Sequence, residues 1–407
     1  MLKQTRGLKN SNIRRFTDLC NARKAVNLAQ GLCHVECSAI KLKAIEAYKE
    51  ALDKGKTLPG FDTYVSYKGI PILLQRIAEK ARAYNKFSEI DPGNPGRNIM
   101  VTAGALGAFN CALEAFLEPG DEAILFQPYY SFYRDQLLVK HMVPRAVTLR
   151  PPHWAFTRED LEAVVSARTR AIVVNTPGNP TGKVFRQDEL ALIADFCHDH
   201  DLIAITDEVY EFMVFDGLQH ISLATLPGMW ERTVTISSFG KMLSATGWRI
   251  GYVIAPEELI REMGYSNEFE TACASAPAQW AVAAALEDLE PFLALGQVFQ
   301  RKRDLLCCAL DKAGFHFQKP SGAVYVLVDV ASLMSSWNLT TSEEVTLRLI
   351  ENPGIGTVPA EDFYLDDSGS RQVRFCFAVF DGLLRDAEER LASLQIEAAQ
   401  IRSTKRG

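Results

Sequence analysis

Three short apolar runs, each followed at once by polar residues, constrain the fold of this chain more than any other feature. They span residues 170–174, 202–206 and 233–236, and they have the pattern of buried parallel strands. In an open parallel sheet, ligands bind outside the carboxyl ends of the strands. We therefore expect the polar groups that come after these runs to converge on one crevice.

Each run leads to side chains that can carry chemistry. The first enters a loop rich in proline and glycine that leaves Asn179 on a stiff segment. The second delivers Asp207 and Tyr210, and the third leads to Ser238 and Lys241. Taken singly, such residues are ordinary turn residues, helix caps, core aromatics or surface lysines. Their occurrence in this order after three strands favours a site.

The segment around Lys241 combines one amine with two preceding hydroxyl residues and one following guanidinium. The amine can form a Schiff base with an aldehyde, while Ser238 and Arg249 can hold a phosphate dianion. This combination predicts pyridoxal 5'-phosphate as the cofactor. Asp207 would then keep the pyridine nitrogen protonated, and Asn179 and Tyr210 would donate hydrogen bonds to the phenolic oxygen of the ring.

A strand-to-helix turn earlier in the chain provides further groups that would contact a phosphate. Residues 98–102 are strand-like, Gly104 makes the turn, and residues 105–117 predict a helix. The free backbone amides of Ala105 and Leu106 at the start of that helix would point at an anion.

Together these segments resemble the class I/II aminotransferases, which are pyridoxal-phosphate enzymes of fold type I. Within that family they are similar to the branch that contains kynurenine, glutamine and methionine aminotransferases. The resemblance extends over nearly the whole chain. Besides the segments above, it is carried by residues 27–31, Tyr64, Gly69, Pro71, 128–130 and 373–375.

The resemblance implies a role for individual residues. Lys241 is the Schiff-base lysine and the base that moves the substrate's alpha proton, and Tyr130 stacks on the pyridine ring. Arg374 binds the alpha-carboxylate of the substrate bidentately, through two of its guanidinium nitrogens, and the backbone of Gly31 lines the substrate pocket. Tyr64 is similar to a tyrosine that reaches the phosphate in the neighbouring subunit, which implies an obligate homodimer.

The implied fold is α/β, with a three-layer α/β/α cofactor domain built on a mostly parallel sheet and a smaller α/β C-terminal domain. We expect an N-terminal arm and part of the small domain in residues 1–45, the large domain in 46–291 and the small domain in 292–407.

The implied reaction moves an amino group from an L-amino acid, of neutral, aromatic or sulfur-containing type, to a 2-oxo acid. It would proceed by a ping-pong sequence of aldimine, quinonoid and ketimine. The alternative is a specialised biosynthetic enzyme of the same fold, which uses the quinonoid for beta or gamma elimination or replacement, cyclisation or oxidation.

Two observations bear on the substrate. Residues 32–37 depart from the family pattern in the segment that covers the substrate in relatives. Cys33, His34 and Cys37 lie together on this one loop, and we expect a structural or substrate-contacting role for them rather than a metal site. In addition, no motif identifies a second arginine of the kind that binds the side-chain carboxylate of a dicarboxylic substrate.

Composition excludes several other classes of protein. The net charge of -6 and a pI near 5.8 argue against nucleic acid as a partner. Only about 26 residues precede the match at 27–31, too few for the DNA-binding module of aminotransferase-like regulators. The absence of a long apolar run argues against a membrane span, and nine cysteines without paired metal spacing favour a reduced, cytosolic setting.

Overall fold

A seven-stranded sheet forms the centre of the fold. The structure is a computed structural model that describes residues 11–31, 33–34, 38–53 and 60–404. In these ranges the strands are β1 (Val26–Asn27), β2 (Ile99–Thr102), β3 (Glu122–Gln127), β4 (Val143–Thr148), β5 (Thr169–Asn175), β6 (Ile203–Asp207), β7 (Thr233–Ser238), β8 (Gly251–Ile254), β9 (His316–Phe317), β10 (Tyr325–Asp329), β11 (Ile355–Gly356), β12 (Val358–Pro359) and β13 (Gln372–Cys376).

Helices connect these strands and cover the sheet. They are α1 (Asn12–Arg23), α2 (Ser38–Asp53), α3 (Pro71–Lys80), α4 (Gly104–Phe116), α5 (Ser131–Val139), α6 (Arg158–Glu162), α7 (Gln187–Asp199), α8 (Phe239–Met242), α9 (Glu257–Thr271), α10 (Ala276–Ala285), α11 (Glu290–Leu293), α12 (Leu295–Lys312), α13 (Ala331–Trp337), α14 (Ser342–Glu351) and α15 (Asp381–Thr404). A π-helical turn, Ala81–Asn85, extends α3. In the ranges described above, no helix is long and apolar enough to cross a membrane.

The strand order of the central sheet is β2-β8-β7-β6-β5-β3-β4. Strand β8 is antiparallel to both of its neighbours, and the other neighbouring pairs are parallel. The carboxyl ends of β2, β3, β5, β6 and β7 therefore lie at one edge of the sheet, and the prediction of a mostly parallel sheet is confirmed. The edge strand β4 is only half buried and contains Pro144, which an edge position tolerates because it needs fewer hydrogen-bond donors.

Side chains on both faces of the sheet are buried, which produces three layers. In β5, Ile172 and Val174 pack on the side of α7 with Ile193, while Val173 faces the opposite side with Phe109 of α4. This alternation results from the two-residue period of a strand. Because helices cover both faces, the central strands are apolar throughout.

A second, four-stranded antiparallel sheet contains the strands of the C-terminal region, in the order β12-β13-β10-β9. Strand β1 pairs in parallel with β11, which attaches the start of the described chain beside this second sheet. As a result Gly31, which comes after β1, and Arg374 on β13 both reach the edge of the central sheet.

A buried ion pair lies behind that edge. Lys80 Nζ, at the end of α3, donates to Glu211 Oε2 over 2.6 Å, and both side chains are at most 2% exposed. The π-helical turn adds the Asn85 amide, which donates to the same oxygen over 2.6 Å, and the Tyr84 hydroxyl, which donates to the Glu211 carbonyl over 2.9 Å. Burial alone would raise the pKa of Glu211, but Lys80, His220 and Asn85 hold that pKa below its usual value. The pair is therefore an ionic contact inside the core.

We expect Lys80→Met to destabilise the protein because it leaves the Glu211 carboxylate buried without a cation. The expected loss is about 3–5 kcal/mol, and replacing both partners, as in Lys80→Met with Glu211→Gln, should recover most of it. Urea unfolding of the wild-type protein and both variants measures these differences.

The matched control is the exposed pair between Arg97 and Glu257, in which the two charges are equally close. Arg97→Met should leave the free energy of unfolding close to the wild-type value because that pair is solvated. Equal losses for Lys80→Met and Arg97→Met would contradict a special contribution from the buried pair.

Candidate active site

A cavity of about 320 Å³ opens at the carboxyl edge of the central sheet. The strand register places Asn175 at the end of β5 opposite Asp207 at the end of β6, and Asp207 opposite Ile236 of β7. The cavity is lined by Ser11, Ile13, Arg14, Gln30, Gly31, Ala105, Leu106, Tyr130, Phe132, Tyr133, Asn175, Asn179, Asp207, Val209, Tyr210, Ser238, Gly240, Lys241, Thr246, Arg249, Tyr325 and Arg374.

Lys241 lies on the short helix α8, directly after β7, and its amine points into this cavity. Lys241 Nζ donates to the carbonyl oxygen of Gly31 over 2.7 Å. Only glycine fits at position 31, because a Cβ atom would lie 1.9 Å from the Tyr325 hydroxyl. Burial lowers the pKa of Lys241, but the surrounding Tyr325, Cys33 and Tyr130 groups produce a net rise in that pKa. The amine must therefore lose a proton before it can attack a carbonyl.

Asp207 is a buried carboxylate with no cation paired to it among the residues described. Its Oδ2 accepts a 2.5 Å hydrogen bond from the Tyr133 hydroxyl, and its Oδ1 accepts only a 3.3 Å bond from the Val209 amide. Burial raises the pKa of Asp207, and the hydrogen bonds from Tyr133 and Val209 together with the Lys241 charge oppose that rise. A cationic ring nitrogen beside this carboxylate would supply the missing charge.

Asn179 and Tyr210 both line the cavity. Asn179 is fixed through its backbone amide, which donates to Asn175 Oδ1 over 2.7 Å, and its side-chain oxygen accepts from Arg374 over 2.8 Å. The amide NH₂ of Asn179 is therefore left as a donor. The hydroxyl of Tyr210 lies 3.0 Å from that of Tyr325, in a hydrogen bond in which either group can donate.

The start of α4 and the loop after α8 both contribute to the cavity wall. Gly104, with φ of +77°, begins α4 one residue earlier than predicted, and the helix ends at Phe116 because Leu117 is extended. The Arg249 guanidinium lies across this helix start and donates to the carbonyl of Ala103 over 3.3 Å. A Cβ atom at Gly104 would be 2.3 Å from that guanidinium. Ser238, with its hydroxyl 3.1 Å from the Ile250 carbonyl, lies beside it.

Arg374 is fully buried on β13 at the opposite end. Its guanidinium donates to Asn179 Oδ1 and to the Ala29 carbonyl, each over 2.8 Å, and lies 4.2 Å from the centre of the Tyr325 ring. In the part of the chain described here, no carboxylate pairs with Arg374 and its Nε has no hydrogen-bond partner. A buried guanidinium without an anion is costly, so this arrangement favours binding of a carboxylate.

The structure thus brings together nearly all of the residues predicted from sequence. Gly104 borders the cavity through its contact with Arg249, whereas Tyr64 is 86% exposed and does not line the cavity of its own chain. Cys33 is buried near Lys241 and His34 stacks on Phe380, while residues 32 and 35–37 of the unusual loop lie outside the described residues.

Several lining residues were missed by the sequence reasoning. Tyr133 could have been found from its spacing, because it lies three residues after Tyr130 and so about one helical turn further along. Tyr325 lacked any local signal. It reaches Arg374 because β10 and β13 are antiparallel and place the two residues diagonally on one face. Arg14 reaches the cavity from the start of α1, which no motif indicated.

These groups fit pyridoxal phosphate. The start of α4 with Ser238 and Arg249 would hold the phosphate, and Asp207 would face the ring nitrogen. Lys241 would bind the aldehyde carbon, and the NH₂ of Asn179 and the hydroxyl of Tyr210 would face the phenolic oxygen. Within the described ranges, Asp207 pairs with no cation and Arg374 with no carboxylate, and an apolar structural core would not contain two such buried groups.

Comparison with known proteins identifies the family. Residues 23–391 match the family model for aminotransferase class I and II. The chain is 32% identical over 415 residues to kynurenine–oxoglutarate transaminase 3 of Rattus norvegicus, covering 95% of this chain and 88% of the relative.

Two solved structures share the fold. The N-succinyldiaminopimelate aminotransferase of Mycobacterium tuberculosis has a TM-score of 0.86 and 31% identity, with 97% of this chain and 100% of that chain covered. The methionine aminotransferase of Escherichia coli has a TM-score of 0.86 and 28% identity, with 97% and 99% covered. The chain therefore belongs to the class I and II aminotransferases, the pyridoxal-phosphate enzymes that move an amino group from an amino acid to a 2-oxo acid.

Proposed function

We propose that this aminotransferase takes its amino group from a neutral, aromatic or sulfur-containing L-amino acid, with Lys241 as the catalytic lysine. The observation that carries the proposal is the set of groups that line one cavity. They are a buried amine, a carboxylate that pairs with no cation of the described residues, and a guanidinium that pairs with no carboxylate of those residues. The names of two relatives, which act on kynurenine and on methionine, support a donor of this kind.

The bound cofactor withdraws electrons from the substrate's alpha carbon, which makes the alpha proton acidic. The residues of this chain control the transfer of that proton. The cofactor would be held by Asp207, Tyr210, Asn179, Ser238 and Arg249, and Tyr130 would pack against its ring. Lys241 Nζ, when it is not bonded to the cofactor, would accept the alpha proton and deliver it back to the substrate-derived group.

Arg374 orients the substrate. Two of its nitrogens are held by Asn179 and Ala29, so the guanidinium cannot rotate away when a carboxylate binds. A carboxylate fixed there directs the alpha carbon toward Lys241. The substrate side chain would then extend toward Ile13 and Phe132, whose apolar surfaces suit a neutral or aromatic group.

We also propose a homodimer with shared active sites. Tyr64 is 86% exposed and lies outside the cavity of its own chain, and Phe269 is 83% exposed. Exposed aromatic residues of this size are typical of protein interfaces. In the dimer, the Tyr64 hydroxyl would reach the cofactor phosphate of the second subunit. The cytosolic location stays a prediction from the sequence.

A single-turnover experiment tests the reaction. Holoenzyme mixed with one amino acid and no 2-oxo acid should stop after one turnover with the cofactor in its amine form, and an added 2-oxo acid should restore the starting spectrum. Lys241→Ala should lose the visible absorbance of the lysine-bound cofactor. Its turnover rate should fall at least about 10³-fold, because the base that transfers the proton is gone.

Continuous turnover without a 2-oxo acid would instead indicate elimination, cyclisation or oxidation. Retention of both colour and rate in Lys241→Ala would show that the wrong lysine has been assigned. Product mass, measured together with the spectrum, separates these cases.

Arg374→Lys should weaken substrate binding while leaving the cofactor bound. A lysine keeps the charge but cannot form the bidentate hydrogen bond to the carboxylate. We therefore expect KM for the amino acid to rise about ten- to a hundredfold. Steady-state kinetics and the absorbance of the bound cofactor measure the two effects separately. Loss of the cofactor itself would mean that Arg374 belongs to the cofactor site.

A mixed-dimer experiment tests the role of Tyr64. Tyr64→Phe removes one hydrogen bond to the phosphate and should weaken cofactor binding about tenfold. Dimers that combine one Tyr64→Phe subunit with one Lys241→Ala subunit contain one complete site if Tyr64 acts across the interface, so they should regain about half the wild-type activity at limiting cofactor. No recovery in the mixture would show that Tyr64 does not serve the partner's site.

A further inference from the structure

The first turn of α1 forms part of the cavity wall. Ser11, Ile13 and Arg14 line the cavity. The helix is held in place, because the Asn12 amide donates to Asp362 over 2.7 Å and the Phe16 side chain is fully buried in the core. The backbone at Arg14 is therefore held by the folded chain, while its side chain is exposed at the cavity wall.

Arg14 is the cation in this cavity that the proposed chemistry leaves unused. The cavity is lined by four basic side chains in the described chain: Arg14, Lys241, Arg249 and Arg374. A phosphate, an aldehyde carbon and an alpha-carboxylate account for the last three. No ion pair or hydrogen bond to another described residue involves the Arg14 side chain, whereas the next residue, Arg15, pairs with Glu343 over 2.8 Å.

The surroundings of Arg14 favour an anion. The first turn of α1 contains no acidic residue, and no side chain caps it. The hydroxyl oxygen of Ser11 is buried and has no hydrogen-bond partner among the described residues. Free amide groups at a helix start carry partial positive charge, which adds to the charge of the guanidinium.

We propose that Arg14, with Ser11, binds the terminal carboxylate of a dicarboxylic 2-oxo acid, the amino-group acceptor of the reaction. The inference rests on the proposed function, since it assumes that Arg374 holds the alpha-carboxylate. A dicarboxylate would then span the cavity between two guanidinium groups. A neutral donor would use the same space through apolar contact with Ile13 and Phe132, so one cavity serves both half-reactions without moving Arg374.

The test compares Arg14→Gln with the matched control Arg15→Gln, in which the neighbouring guanidinium is removed instead. The amine form of each holoenzyme reacts with 2-oxoglutarate or with 2-oxopentanoate, which has the same chain length but no terminal carboxylate. For Arg14→Gln we expect kcat/KM with 2-oxoglutarate to fall about tenfold or more, mainly through KM, a tenfold loss being about 1.4 kcal/mol. With 2-oxopentanoate, kcat/KM of Arg14→Gln should stay within about twofold of the wild-type value. Arg15→Gln should resemble the wild-type enzyme with both acids.

A binding measurement provides a readout that needs no turnover. Calorimetric titration of the aldehyde-form holoenzyme with glutarate and with pentanoate should show a preference for glutarate that Arg14→Gln removes. Equal losses for both 2-oxo acids, or an unchanged glutarate preference, would overturn the assignment of Arg14. If the wild-type enzyme transfers no amino group but glutarate binding still depends on Arg14, then the proposed function fails and the carboxylate subsite stands.

Discussion

The buried ion pair between Lys80 and Glu211 joins the chain segments on which the site depends. Glu211 is the residue directly after Tyr210, and its Oε1 accepts hydrogen bonds from Ser237, the neighbour of Ser238, and from Tyr252 on β8. The Glu211 carboxylate, which comes shortly after β6, is thus hydrogen-bonded to residues of both β7 and β8. Because buried charges tolerate few alternative arrangements, this contact fixes the relative positions of the loops that end in the cavity.

The π-helical turn after α3 makes this convergence possible. Its wider spacing allows Lys80, Tyr84 and Asn85 to reach the same residue, Glu211, from one short segment. Such turns are rare and often occur near functional sites. Here the turn lies one layer behind the cavity, so it supports the site without contacting a substrate.

The cavity itself has an uneven distribution of charge, which suits a zwitterionic amino acid bound to an anionic cofactor. Asp207 provides a negative group that would face the ring nitrogen. The α4 start and Arg249 provide a positive end that would hold a phosphate, and Arg374 a positive group that would hold a carboxylate. Each of these groups lacks a full counter-charge within the described chain. The ligands therefore complete the electrostatics of the fold, at the edge where the parallel strands end.

The sequence by itself determined the strand-loop units and the side chains that come after them, because apolar periodicity and proline or glycine punctuation are local properties. Asn179, Asp207, Ser238 and Lys241 could be placed at one edge on that basis. Only the tertiary structure decided that Tyr325 would cover Arg374 and that the start of α1 would bring Arg14 into the cavity. These contacts join residues that are far apart in the sequence. They arise from the packing of the second sheet beside the central sheet and from the packing of α1 against β11, β12 and α14, which no local pattern encodes.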